Sequence, residues 1–230
     1  MKGYLRWGLV AAAMTASTAT AQQSGPIVIA VLPFEDRGSY GQDKEVFRAL
    51  ELGIPATLAA ELSRHPRVRV ADRGRTSRAV QAQNLGPNAR VDAATAAKVS
   101  SEAGAQYAIT GNFADFYGKF RVDARVVDVG SGQILKVVSN SEPTLQDRAD
   151  LSRIIQSLAE KALAAVNLPA AGNAPGTRSA PVPTDALTQF SLGLLYESEG
   201  NKTKAGEHYQ RALTTFPDYQ AAREGAQRVR

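Results

Sequence analysis

Apolar and polar positions alternate along the chain in patterns that predict strands and helices in turn. Residues 27–34, IVIAVLPF, form a continuous apolar run that is typical of a strand covered on both faces and ends at Pro33. Within residues 44–63 apolar side chains recur every third or fourth position, which predicts an amphipathic helix. Because Pro55 lies inside this pattern, we expect a kink there or a helix that begins nearer Ile54.

The next segments are assigned in the same way: strands at 67–70, 107–116, 120–129 and 133–139, and helices at 75–84, 93–103 and 145–167. Asp92 can cap the helix that begins at 93, and Thr144 with Asp147 predicts a capping box for the last helix. The order predicts one α/β domain over 26–168. Its mixed sheet would be packed by helices, in an arrangement similar to that of anticodon-binding domains.

The C-terminal part begins with residues 169–183, a linker rich in Pro, Gly and Ala, and residues 184–230 predict a small helical module. Seven positions of this module match a single tetratricopeptide repeat: Leu192, Gly193, Tyr196, Ala205, Tyr209, Ala212 and Pro217. The alternative is an unrelated helical hairpin. We expect the small residues to let two helices approach closely, and Leu192, Tyr196, Tyr209 and Ala212 to fill the seam between them.

One such repeat cannot bury its own apolar faces. We therefore expect the module to dock on the first domain, on a second copy of the chain, or on another protein. The face formed by Leu187, Phe190 and Leu194 is predicted to be exposed and to bind a partner.

The first 21 residues predict a secretory signal peptide, with Lys2 and Arg6 before an apolar stretch and Ala19-Thr20-Ala21 as the cleavage pattern. An uncleaved anchor helix is the alternative, although the stretch is shorter than the ~20 residues that span a bilayer. We expect a periplasmic protein that does not cross the membrane and could lie at the outer membrane as a peripheral protein.

Composition narrows the possible chemistry. The chain has no cysteine, which excludes disulfides, thiolate metal sites, a cysteine nucleophile and a thioether lipid anchor. Its two histidines, His65 and His208, are far apart in sequence and are expected to be surface or packing residues. The net charge of +5 would be smaller without Lys2 and Arg6. We expect no metal, no cofactor, no catalytic residue and no nucleic-acid partner.

Two charged features are candidates for binding. Six arginines lie close together in sequence: Arg64, Arg67, Arg69, Arg73, Arg75 and Arg78. Arg67 and Arg69 share one face of a predicted strand, so the cluster is expected either to bind an anionic surface or to be a solvated face. Glu35 and Asp36 follow the first strand, where α/β proteins often bind ligands, although a solvated loop also accounts for them.

Several blocks of residues 27–138 resemble the curli production assembly/transport family: IVIAVLPFED, AAELSRHPRVRVADR, VDAATAAKVSSEAGAQYAITGNF and FRVDARVVDVGSGQIL. They also resemble flagellar outer-membrane accessory proteins, the amino-terminal domain of the Tol translocation protein, and outer-membrane activators of penicillin-binding proteins. Pore-forming members of the curli family carry long insertions and often a lipid anchor. This chain has only residues 35–43 after its first strand, so we expect that it is not itself a pore.

The resemblance implies a non-catalytic periplasmic protein-binding factor that scaffolds or assists a secretion or assembly system of the cell envelope. The alternative is an activator or regulator of a peptidoglycan synthase, and an enzyme is the third and weakest interpretation. Envelope proteins would bind through the helical module, and the protein could form a homo-oligomer.

Overall fold

The computed structural model describes residues 25–83, 91–140, 145–169 and 180–230. The predicted signal peptide, Thr144 of the predicted capping box and most of the predicted linker lie outside this part of the chain. The strands are Ile27–Asp36 (β1), Val68–Val70 (β2), Tyr107–Phe116 (β3), Lys119–Asp128 (β4), Ile134–Ser139 (β5) and Gln146–Asp147 (β6). The helices are Lys44–Ser63 (α1), Arg73–Ala82 (α2), Ala93–Glu102 (α3), Leu151–Ala165 (α4), Thr184–Ser198 (α5), Lys202–Thr215 (α6) and Gln220–Arg228 (α7).

The sheet is mixed, with the strand order β2-β1-β3-β4-β5 and the short β6 beside β4. β2, β1 and β3 run parallel, whereas β3, β4 and β5 are antiparallel. Ile29 and Phe34 pack with α1 and α4 on one face, while Leu32 packs with α2 and α3 on the other. The predicted α/β class, with helices packed on a mixed sheet and a helical part after it, is confirmed.

The structure differs from the predictions most clearly at three places. β1 continues through Pro33 to Asp36, because a register shift between Val31 and Phe34 accommodates the missing N–H group. α1 is continuous through the buried Pro55, so the expected start near Ile54 is wrong. The predicted helix over 145–167 begins only at Leu151, because the preceding residues form β6 and a 3-10 turn.

The helical module packs on the α/β domain through α1. Leu187 of α5 lies in the main core beneath the sheet, and Leu192 and Leu195 pack on Ala49 of α1. Of the three docking alternatives, the first domain is therefore the surface that covers α5. The Arg48 guanidinium adds an exposed ion pair to Glu199 at 2.7 Å.

Inside the module, α5 and α6 approach closely because Gly193 of α5 faces the Tyr209 ring of α6. A Cβ at Gly193 would lie 2.5 Å from the Tyr209 ring, and Ala205 and Ala212 are fully buried beside that ring. Asn201 caps α6 by accepting a hydrogen bond from the Lys204 N–H at 3.1 Å.

One of the predicted seam residues lies elsewhere, and another makes a second contact outside the seam. Leu192 packs on α1. The Tyr196 ring stacks on His208 while its hydroxyl donates to Glu45 of α1, so it joins the module to the first domain. Pro217 follows the end of α6, as the repeat pattern predicts.

Candidate functional site

The predicted contact face of α5 is not exposed. Leu187 is 0% exposed, Phe190 3% and Leu194 1%. Leu187 belongs to the main core, and the other two side chains pack against Tyr209 and Tyr219 inside the helical module. The prediction of an exposed face is corrected, because an apolar stripe shows that a side chain is covered without showing what covers it.

The six arginines of the cluster have different surroundings. Arg64 pairs with Glu61 at 3.3 Å, and Arg73 lies within electrostatic reach of Tyr209 and Glu197 in the helical module. Arg67 and Arg69 are both exposed at β2, an edge strand of the sheet, as the alternation predicts. Arg75 and Arg78 of α2 are exposed as well. The binding of these arginines to an anionic surface stays a prediction.

Glu35 and the two histidines each contact other residues of the chain. Glu35 accepts the Val91 N–H at 3.2 Å and lies 3.6 Å from Arg37. His65 is buried and its Nδ1 accepts the Arg67 N–H, while His208 meets Gln189 at 2.8 Å. Within the described residues, no group of three or more acidic or histidine side chains could hold a metal ion.

An exposed group of three aromatic residues lies at the end of the β3–β4 hairpin, and we name it the aromatic cluster: Tyr40, Phe116 and Tyr117. Tyr40 comes from the loop before α1, and its ring centroid is 5.9 Å from Phe116 and 5.7 Å from Tyr117. The three side chains are 55%, 38% and 84% exposed respectively. Such a concentration of exposed rings is typical of a binding surface, because large exposed apolar groups are costly in water.

A buried polar network fixes the aromatic cluster from below. Asp115 is 1% exposed, and its carbonyl accepts the Tyr40 N–H while its N–H donates to the Ser39 hydroxyl. Ser39 in turn donates its N–H and hydroxyl to Asp36, at 2.9 and 2.6 Å. The Arg148 guanidinium lies 2.8 Å from the Asp115 carboxylate. These contacts join the loop to the hairpin, so the rings are held in place before any partner binds.

The same network assigns a structural role to Asp36. Its N–H donates to the Glu51 carboxylate of α1 at 3.2 Å. Burial raises the pKa of Glu51 above its usual value, and the nearby Asp36 charge acts in the same direction. The Asp36 carboxylate at the end of β1 therefore organises the loop that carries Tyr40.

The backbone conformation of Tyr117 is a second, independent observation that indicates a functional position. Tyr117 and Gly118 form the two-residue turn of the hairpin and have φ angles of 55° and 90°. This type of turn favours Asn-Gly or Gly-Gly, because a side chain other than Asn or Asp is costly in the left-handed region. A bulky tyrosine that is 84% exposed gains little packing in return, and such strain is characteristic of functional positions.

The sequence indicates the turn at Tyr117 but not the aromatic cluster. Tyr40 and Phe116 are 76 positions apart, and only the pairing of β1 with β3 brings the loop after β1 to this end of the hairpin. The available signal was the tyrosine at a turn position where asparagine is expected.

No protein-family model matches the chain, and no curated protein matches it. Among solved structures, it is similar to the LpoB C-terminal domain from Escherichia coli, with 16% identity and a TM-score of 0.39 over 49% of this chain and 79% of that one. TolB from Acinetobacter baumannii has 16% identity and a TM-score of 0.40 over 62% of this chain and 29% of that one. The NMR structure of E. coli LpoB has 13% identity and a TM-score of 0.38 over 60% of this chain and 81% of that one.

All three TM-scores lie below 0.5, so these likenesses assign neither a family nor a function. The resemblance to the curli family and the single tetratricopeptide repeat both stay predictions. None of the described helices is long and apolar enough to cross a membrane.

Proposed function

We propose that this chain is a non-catalytic protein-binding factor of the cell envelope that works through its aromatic cluster. The observation that carries the proposal is Tyr117, a highly exposed tyrosine in a left-handed turn position. Aromatic side chains on a preorganised surface are the residues that contribute most to protein–protein affinity. The buried network around Asp115 supplies that preorganisation, so little conformational entropy is lost on binding.

The protein that this factor binds could be a peptidoglycan synthase or a component of a secretion system. We propose the first of these, so that the chain is a regulator of a peptidoglycan synthase. The resemblance of residues 27–138 to outer-membrane activators of penicillin-binding proteins supports this choice. Only residues 37–43 separate β1 from α1, which supports a secretion scaffold that is not itself a pore. Contact with a secretion component remains the second candidate.

The experiment measures glycan polymerisation by a purified peptidoglycan synthase with and without the mature chain. We expect the wild-type chain to raise the rate and the double variant Tyr40→Ser, Tyr117→Asn to lose that stimulation. Because Asn is tolerated in the left-handed region, Tyr117→Asn alone should keep the fold and raise its stability by up to roughly 1 kcal/mol. A loss of stimulation in the single variant Tyr117→Asn therefore cannot be attributed to unfolding.

Lys202→Ser on the exposed start of α6 is the matched control and should stimulate like wild type. Equal stimulation by the double variant would contradict the role of the aromatic cluster. No stimulation by the wild-type chain would contradict the synthase form of the proposal.

A further inference from the structure

The second exposed apolar surface lies on β5, an edge strand. Within the described part of the chain β5 pairs only with β4, and its other edge is open. Ile134 is 46% exposed, Leu135 45% and Val137 55%. An open edge with exposed apolar side chains is a template on which another strand can pair.

The register of β5 identifies which backbone groups face the open edge. The Asn140 N–H donates to the Val122 carbonyl, so Asn140 and, by alternation, Val138 and Lys136 direct their backbone groups toward β4. Val137 and Ser139 therefore direct theirs away from the sheet. The Ser139 carbonyl accepts a hydrogen bond from the Lys161 ammonium of α4 at 2.6 Å, which agrees with this orientation.

A groove of 560 Å³ runs between this edge and the C-terminal half of α4. Val137, Val138, Ala164 and Ala165 supply its apolar lining, and the small alanines leave space beside the strand. Among the described residues, the charged side chains that line it are Lys136 and Lys161, and none of the lining residues is acidic. The groove thus combines an open strand edge, an apolar wall and positive charge.

We propose that this groove binds an extended segment of a partner protein, rich in acidic and apolar residues, as an additional strand beside β5. The inference rests on the proposed function as a protein-binding factor and names the chemistry of a partner segment. Backbone hydrogen bonds to Val137 would align the segment, and its carboxylates would pair with Lys136 and Lys161. A second copy of β5 fits less well, because the strand carries Lys136 and no acidic side chain, so two copies would bring like charges together.

The test measures fluorescence anisotropy of a labelled eight-residue peptide in which Glu and Val alternate, with an alternating Lys and Val peptide as the comparison. We expect the acidic peptide to bind the full chain and the basic peptide to bind at least about tenfold more weakly. Val137→Pro removes an N–H that points away from β4, a position where an edge strand tolerates proline. It should keep the fold and weaken binding of the acidic peptide about fivefold or more.

Lys136→Glu is the second variant, and it should reverse the preference between the two peptides. Tyr117→Asn, which alters the aromatic cluster alone, should bind the acidic peptide like wild type. Equal binding of both peptides, or none, would overturn the proposal, as would a concentration-dependent dimer that Val137→Pro dissociates. Synthase stimulation that is retained in Val137→Pro and lost in Tyr117→Asn, with no peptide binding, would overturn this inference and leave the proposed function standing.

Discussion

At the scale of single residues, Gly53 permits the contact between the α/β domain and the helical module. A Cβ at this position would lie 1.8 Å from the Ser191 hydroxyl oxygen and 2.6 Å from the Ser191 Cβ. Ser191 is itself fully buried and donates a hydrogen bond to the Leu187 carbonyl at 2.7 Å, so it has little room to move. The two helices can approach this closely only because one of them carries no side chain here.

Gly53→Ala should therefore destabilise the protein by about 1–3 kcal/mol through overpacking. Gly206→Ala is the matched control, because its Cβ would meet only Val229 at 3.6 Å. The control should be neutral or stabilising by up to roughly 1 kcal/mol, since alanine favours a helix over glycine. Denaturant unfolding of both variants measures the difference, and equal free energies of unfolding would show that α1 and α5 are not in this contact.

His65 makes stability depend on pH. Burial, with a contribution from the Arg67 charge, lowers the pKa of His65 below its usual value. Its neutral ring accepts the Arg67 N–H at 3.2 Å, an interaction that protonation removes. The stability that depends on the neutral ring is present above the ordinary histidine pKa of about 6.5 and is lost as the pH falls through the lowered value.

We expect His65→Asn, whose side-chain carbonyl can still accept a hydrogen bond, to lose less stability than wild type when the pH falls below the ordinary histidine pKa. Urea denaturation of both proteins on either side of that pKa measures the change. Because the two proteins share every other titrating group, the difference between them isolates His65. Parallel stability–pH curves would contradict the assignment.

At the scale of secondary-structure elements, apolar periodicity predicted most of the fold. The alternation in residues 120–129 marked β4, and Asp92 was correctly identified as the cap of α3, where it accepts the Thr95 N–H at 2.8 Å. The pattern failed where tertiary pairing decides the structure. Residues 146–147 have no strand signature of their own and form β6 because Lys119 and Phe120 of β4 pair with them.

The same limit explains the misplaced contact face of α5. Its apolar positions point in several directions, because α1 covers one side and α6 and α7 cover another. A single sequence cannot distinguish a stripe that is covered within the chain from one that awaits a partner. The aromatic cluster was missed for the opposite reason, since its three residues are joined only by the sheet topology.

The stability of the β3–β4 hairpin end depends on the buried carboxylate of Asp115. Asp115→Asn keeps an oxygen that can accept the Gly118 N–H but loses the charge that faces Arg148. We expect a loss of roughly 1–3 kcal/mol and faster amide exchange at Gly118, because the substitution removes the charge of a buried carboxylate that pairs with Arg148 and accepts the Gly118 N–H. Denaturant unfolding and NMR hydrogen exchange measure these effects.

Asp147→Asn is the matched control at the same end of the hairpin. Its carboxylate lies 2.8 Å from Lys119, but the pair is exposed, with 59% of the Asp147 side chain accessible. Exposed pairs contribute about 0–1 kcal/mol, so this variant should resemble wild type. Equal losses in the two variants would show that burial does not give Asp115 a special role.

At the scale of the whole molecule, the α/β domain and the helical module share a core, since Leu187 of α5 packs among the residues beneath the sheet. The exposed surfaces lie elsewhere. The aromatic cluster is at the end of the β3–β4 hairpin, and the open edge of β5 faces the groove beside α4. We therefore regard the helical module as part of the scaffold and the hairpin end as the principal binding surface.

Site-specific photo-crosslinking in intact cells tests this account most directly. A photoreactive amino acid replaces Tyr117 in one variant and the exposed Lys202 in another, and the adducts are identified by mass spectrometry. We predict a discrete adduct between position 117 and one envelope protein, with no equivalent adduct from position 202. The same adducts from both positions, or none from position 117, would contradict the claim that this molecule works by contact through its aromatic cluster.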